Sequence, residues 1–199
     1  MFNDVDKLPH VGRPDILHIF TSEKSIGGKL NFGCDNAKGN IILRMDSDDL
    51  YDRQWISKSV QALIESKAAL TGLSNALFLN SVPEAEVEDL YEHHYTGPVP
   101  YVIGATMCFW KDTWREHPFL NISEGEDHQF CTKLNTKSIK AHNEDKDKFI
   151  AVIHGENTAC QKQLIFMRKL TQNEQDEIFN TGNHNNSLGL LLQKSGYIS

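Results

Sequence analysis

The stretch Asn40-Ile41-Ile42-Leu43-Arg44-Met45-Asp46-Ser47-Asp48-Asp49-Leu50-Tyr51 decides how the whole chain is read. It opens as an apolar run, the pattern of a buried strand, and then breaks into Asp46, Asp48 and Asp49. In open α/β sheets ligands sit beyond the carboxyl ends of the strands. Three carboxylates at that end cannot all be there for packing, because unpaired buried charge is costly. Asp46 and Asp48 alternate with Ser47, so in extended chain they point the same way. Two hard oxygen donors on one side suit Mg²⁺ or Mn²⁺, with substrate phosphates completing the shell. The competing reading is a polar turn in which Asp49 caps a following helix.

Upstream, Asp15 to Phe20 reads as a strand and Ser25 to Ala37 as a helix with a glycine-rich entry. With the strand Asn40 to Met45 they make a βαβ unit, which implies parallel pairing and a right-handed crossover. Downstream, Asp52 to Ser66 carries Trp55, Ile56, Val60, Leu63 and Ile64 at helical spacing. Ala69 to Leu79 and Leu90 to Tyr95 read as strands, and the acidic residues between them (Glu84, Glu86, Glu88, Asp89) as a solvated face. Tyr101 to Trp110 reads as one long apolar strand, followed by a short helix from Lys111, a helix near His128 to Leu134, and a last strand from Lys148 to Ile153. Gln161 to Phe179 suggests one or two helices, and Leu188 to Gln193 a short terminal one. The expected division is therefore an α/β domain over 1–160 and a helical appendage over 161–199.

With 199 residues the chain can bury a real core. A net charge of −7 argues against a nucleic-acid partner. No apolar run reaches membrane-spanning length, and the first residues have no signal-peptide pattern. Cys34, Cys108, Cys131 and Cys160 form no Cys-x-x-Cys pair, so reduced thiols in a cytoplasmic protein are expected.

Several motifs occur in a telling order. Ile26-Gly27-Gly28-Lys29-Leu30-Asn31-Phe32-Gly33 is followed by Ala37-Lys38-Gly39-Asn40 and then by Asp46-Ser47-Asp48-Asp49. Gly104 to Trp110 comes next, then Phe119 with Gly125-Glu126-Asp127 and Phe130, then His154-Gly155-Glu156-Asn157-Thr158. The series resembles a family 2 glycosyltransferase with a GT-A fold over roughly Ile26 to Thr158. The resemblance implies an α/β, Rossmann-like architecture: a mixed, mostly parallel sheet flanked by helices. It also implies a nucleotide-sugar donor and a glycan or other hydroxyl acceptor. Too little chain precedes Asp15 for the usual additional base-binding βα unit, so an N-terminally shortened version is expected. Leu30 stands where the family commonly has Arg.

Carried onto these residues, the resemblance makes Asp48 the direct metal ligand and places Asp46 at the donor ribose or sugar. His154 is a candidate nitrogen ligand, against the plainer reading of a surface or packing histidine, while Lys29, otherwise an ordinary exposed lysine, and Asn31 lie on the helix that the resemblance sets at the donor diphosphate. The Glu-Asp motif makes Asp127 the base that takes the proton of the attacking hydroxyl. One base without a dedicated nucleophile implies single displacement with inversion. Tyr101, Trp110 and Trp114 are candidates for stacking on a sugar ring, against the plainer reading of core aromatics. One alternative is a degenerate domain of this kind that binds sugar nucleotide or glycan without turnover. A phosphatase similar to the haloacid dehalogenases, with Asp46 as nucleophile and Asp48 as acid, lacks a later Gly-Asp-x-x-x-Asp and has Leu50 in the place of Thr or Val. An EF-hand fails at Tyr51 and Ser57, where Gly and Glu are required.

Overall fold

A computed structural model of the chain describes residues 17, 19–80, 89–97, 100–154 and 167–180. Its strands form two sheets. The four-stranded sheet runs β1 (Ile41–Leu43), β6 (Cys108–Trp110), β3 (Leu70–Gly72), β7 (Ile139–Ala141). The five-stranded sheet runs β2 (Leu50–Tyr51), β8 (Phe149–Ile153), β4 (Asn75–Asn80), β5 (Asp89–His94), β9 (Arg168–Lys169). Both sheets are mixed: β3 pairs parallel with β7 and β4 with β8, and the other pairings are antiparallel.

Burial follows the two-residue period of a strand. Along β4, Ala76 and Phe78 enter one cluster, with Trp55, Phe149 and Ile153. Leu77 and Leu79 enter another, with Leu90, Ile150 and Leu170. This parallel β4–β8 pair is covered on both faces, which is why its sequence is continuously apolar. A third cluster lies against the four-stranded sheet. Its centre is Phe109, Phe119 and Phe130, with Phe119 stacked on Phe130 at a ring separation of 4.4 Å.

Helix α1 (Ile26–Asn36) starts where expected. Ser25 caps it by accepting the Gly28 N–H at 3.0 Å. Its far end is held by Lys111, whose buried ammonium donates to the carbonyls of Asp35 at 3.1 Å and Ala37 at 2.5 Å. Helix α2 (Trp55–Ser66) turns Trp55, Ser59 and Leu63 inward. Asp52 serves its entry, accepting the Gln54 N–H at 2.6 Å. Helices α3 (Lys111–Glu116) and α4 (Glu126–Lys133) complete the side that faces α1.

Four segments differ from the sequence reading. Of the strand expected over Asp15 to Phe20, residues 15, 16 and 18 lie outside the described residues. Leu17, Ile19 and Phe20 are exposed and join no ladder, so the βαβ unit is not formed among the described residues and β1 is an edge strand. The strand expected over Ala69 to Leu79 is two, β3 and β4, in different sheets. Between them side chains satisfy the backbone: Leu73 N–H donates to Thr106 Oγ1, and Ser74 and Asn75 N–H to Asn143 Oδ1. The long strand over Tyr101 to Trp110 shrinks to β6, preceded by a 3₁₀ turn at Gly104–Thr106. There Thr106 turns its hydroxyl onto the Ile103 carbonyl at 2.7 Å, a local bond that competes with the ladder. Finally, Arg168–Lys169 add a strand to β5, held by an Arg168–Glu92 ion pair at 2.7 Å. Helix α5 (Gln172–Asn180) follows and packs Ile178 on the same sheet's core. The remaining expected elements, over 161–166 and 188–193, lie outside the described residues.

Candidate functional site at the junction of the two sheets

The carboxylate stretch lies where the chain leaves one sheet for the other. Past β1, the Arg44 N–H still donates to the Met107 carbonyl at 2.9 Å, and the chain then turns through Asp46 to Asp49 into β2. The turn is fixed from below by Tyr51. Its hydroxyl accepts the Asp46 N–H at 2.8 Å and donates to the Ala105 carbonyl at 3.1 Å.

Arg44 organises the acidic groups. Its guanidinium grips both Asp46 oxygens, at 3.0 and 3.1 Å, and reaches Glu126 Oε1 at 2.9 Å. Burial alone would weaken its charge, but the two carboxylates more than compensate and raise its pKa. Glu126 is buried in the first turn of α4, where the helix dipole favours an anion. Its own carboxyl is pushed up by burial and then by Asp127, against the pull of Arg44. The preceding Gly125 has φ of 75°, the left-handed region that favours glycine. Arg44 thus ties the Asp46–Asp48 turn to the start of α4.

Asp127, the next residue, keeps a half-buried carboxylate. It accepts the Tyr101 hydroxyl at 2.6 Å and the His128 N–H at 2.7 Å. Tyr101 is set between Tyr95 and His128, with ring separations of 4.9 and 5.9 Å. Burial, then the Asp127 charge, raises the Tyr101 pKa, so its hydroxyl stays a donor. Gly104 sits under both groups: a Cβ there would lie 2.8 Å from Arg44 Nη1 and 2.8 Å from Asp127 Oδ2.

Asp48 and His154 meet at the exposed rim. His154 follows the last residue of β8, and its Nε2 lies 2.9 Å from Asp48 Oδ2. Beside them Asp49 turns inward and accepts the Val152 N–H at 3.0 Å. Burial, with the Asp46 and Asp48 charges, pushes its carboxyl up to about 7 against that hydrogen bond. Asp49 therefore fastens the turn to β8 and does not cap a helix.

No three His, Cys, Asp or Glu side chains converge as a closed metal cage among the described residues. An oxygen of Asp48 and a nitrogen of His154 at one exposed point still fit a divalent ion that draws its other ligands from phosphate and water. Asp46 is engaged by Arg44 instead. Lys29 stands on the exposed face of α1. Asn31 is saturated by the protein itself: its carbonyl oxygen accepts Trp114 Nε1 and the Phe119 N–H, and its amide donates to the Phe119 carbonyl and Asn121 Oδ1. Of the three aromatic residues proposed for sugar stacking, Trp114 and Tyr101 pack against the Phe109 cluster, and Trp110 Nε1 donates to the Ala68 carbonyl. Tyr101 alone stands beside Asp127.

Arg44 is the site residue that the sequence reading passed over. The signal was present: one charge in an apolar run has to be paired.

The family model described as Glycosyl transferase family 2 matches residues 5–166. Among solved structures, S. aureus TarS 1-349 aligns at 15% identity with a TM-score of 0.43, covering 67% of this chain and 42% of that one. None of the curated proteins matches the chain. Among the described residues no helix is long and apolar enough to cross a membrane.

Proposed function

The chain belongs to glycosyl transferase family 2, with the mixed α/β architecture of the GT-A fold, and on that premise we propose that it moves a sugar from a nucleotide-diphosphate donor to a hydroxyl acceptor with inversion. Asp48 and His154 would hold Mn²⁺ or Mg²⁺ between the protein and the donor diphosphate. When bound, such an ion supplies charge neutralisation for the departing diphosphate. Asp46, oriented by Arg44, faces the donor, and Lys29 is the exposed cation available to its phosphates. Asp127 takes the proton of the attacking hydroxyl while Tyr101 holds the carboxylate in position.

The observation that carries this reading is the Asp46–Arg44–Glu126 bridge. It links the Asp48–His154 corner to the residue next to Asp127, so the two halves of the reaction share one rigid frame. A displacement needs that rigidity, because small errors in placing the reacting groups are costly in rate.

The test is release of nucleoside diphosphate from a panel of nucleotide sugars with Mn²⁺ and hydroxyl acceptors. Asp127→Asn keeps the size and much of the hydrogen bonding and removes the base. Turnover should fall by about 10²-fold or more, with donor affinity unchanged. Full turnover in Asp127→Asn would assign the proton to another group. A wild-type chain that binds donors yet never turns over would mark a binding domain without catalysis.

A further inference from the structure

His142 is buried at a corner where the two sheets are joined. It follows β7 directly, and its N–H donates to the Gly72 carbonyl at the end of β3 at 3.0 Å. The next residue, Asn143, holds the Ser74 and Asn75 N–H groups where the chain crosses to β4. The 3₁₀ segment Asn143–Lys148 then runs straight into β8. The His142 ring lies against Trp55 of α2, with ring centroids 5.7 Å apart. Neither of its nitrogens, nor Trp55 Nε1, has a hydrogen-bond partner among the described residues. An imidazole so placed is tolerated only while it is uncharged, since a buried unpaired charge costs far more than a buried dipole.

We propose that His142 is an acid-operated latch: neutral, it keeps the Asn143–Lys148 segment seated on α2, and protonated, it unseats that segment and loosens the corner between β3 and β4. The charges around the ring lie on one side. Asp145 Oδ2 is 3.6 Å from Nδ1, beyond hydrogen-bond reach, and its other oxygen faces Lys58 of α2 at 4.0 Å. Glu144 also acts on the ring. Farther along the segment, Lys146 pairs with Glu92 and Lys148 with Asp147. Glu65 of α2 and Lys140 of β7 are exposed, and Asp52, ahead of α2, accepts the Gln54 N–H. β3, β4 and β8 carry no titratable side chain. Burial outweighs the neighbouring carboxylates and holds the His142 pKa below its ordinary value. The neutral ring therefore contributes stability above about pH 6.5, and this is lost as pH falls from there towards the lowered value. Once charged, the ring is satisfied by closing on Asp145, which draws that carboxylate off Lys58 and the ring away from Trp55.

The test uses the full chain and needs no substrate. An NMR titration follows the His142 ring nitrogens, and hydrogen-exchange protection factors follow the Ser74 and Asn75 amides. Wild type is compared with His142→Phe, which keeps a ring against Trp55 and cannot be protonated. His142 should titrate below the ordinary value of about 6.5. Asp145→Asn removes the carboxylate that favours the cation and should lower its pKa further. Between about pH 7 and about pH 5, Ser74 and Asn75 should lose protection by about tenfold or more in the wild type and keep it in His142→Phe. A ring that titrates at or above its ordinary value overturns the proposal. So does protection that is unchanged with pH in the wild type, or lost equally in both proteins. Where His142→Phe does not fold, the titration decides alone, and a His142 pKa that Asp145→Asn fails to lower overturns the latch.

Discussion

Arg44 shows how much one side chain can determine. It is mostly enclosed and touches two carboxylates from segments far apart in sequence, Asp46 two residues on and Glu126 at the start of α4. A buried ion pair adds little over an apolar substitute of the same shape, but removing one partner strands the other. Arg44→Met should therefore destabilise the fold by about 3 kcal/mol in urea denaturation at neutral pH. The loss should also depend on pH in a definite direction. Glu126 already has a raised pKa, from burial first and Asp127 second, and without Arg44 it rises further. A carboxyl raised in the folded state contributes stability below its unfolded pKa and loses it as pH rises through the folded one. Arg44→Met should thus be closer to wild type in acid than at neutral pH. An equal loss at both would mean that Glu126 is not the stranded group.

At the scale of elements, α1 and the 119–122 loop are fitted to one another. Gly27 N–H donates to the Ile122 carbonyl at 3.0 Å, and a Cβ on Gly27 would lie 1.8 Å from the Leu120 carbonyl oxygen. One turn later Asn31 grips Phe119 by both backbone groups. Gly33, on the same helix, would meet nothing within 4 Å. The two glycines should therefore respond oppositely to alanine in thermal unfolding. Gly27→Ala must push the helix off the loop and should cost about 1–3 kcal/mol. Gly33→Ala gains helix propensity and should stabilise by about 0.5–1 kcal/mol. These elements also mark what the sequence could show. The Gly27-Gly28 entry, the Ser25 cap and the periodicity of Trp55 and Leu63 are local signals, and both helices form close to where they were expected. The break after Gly72 was not legible, because Thr106 and Asn143 make it from distant parts of the chain. Asn31 was noticed for its place in a motif, yet its partners at 114, 119 and 121 become visible only in the fold.

For the molecule as a whole, the chain passes from one sheet to the other after β1, and the candidate site residues gather around that passage. Asp46 and Asp48 follow β1 of the first sheet, His154 follows β8 of the second, and Asp127 stands in the first turn of α4. The sequence placed carboxylates at a strand end and the order of motifs supplied the family. It could not reveal that Asp46 is committed to Arg44, since that depends on where Glu126 arrives. The proposed role of Asp48 and His154 is to hold a divalent ion against the donor diphosphate. Titration calorimetry of a nucleoside diphosphate, with and without saturating Mn²⁺, compares wild type with Asp48→Asn most directly. Mn²⁺ should strengthen binding in the wild type by at least about tenfold, or about 1.4 kcal/mol, and Asp48→Asn should abolish this gain while keeping the fold. An undiminished Mn²⁺ effect in Asp48→Asn would contradict that role.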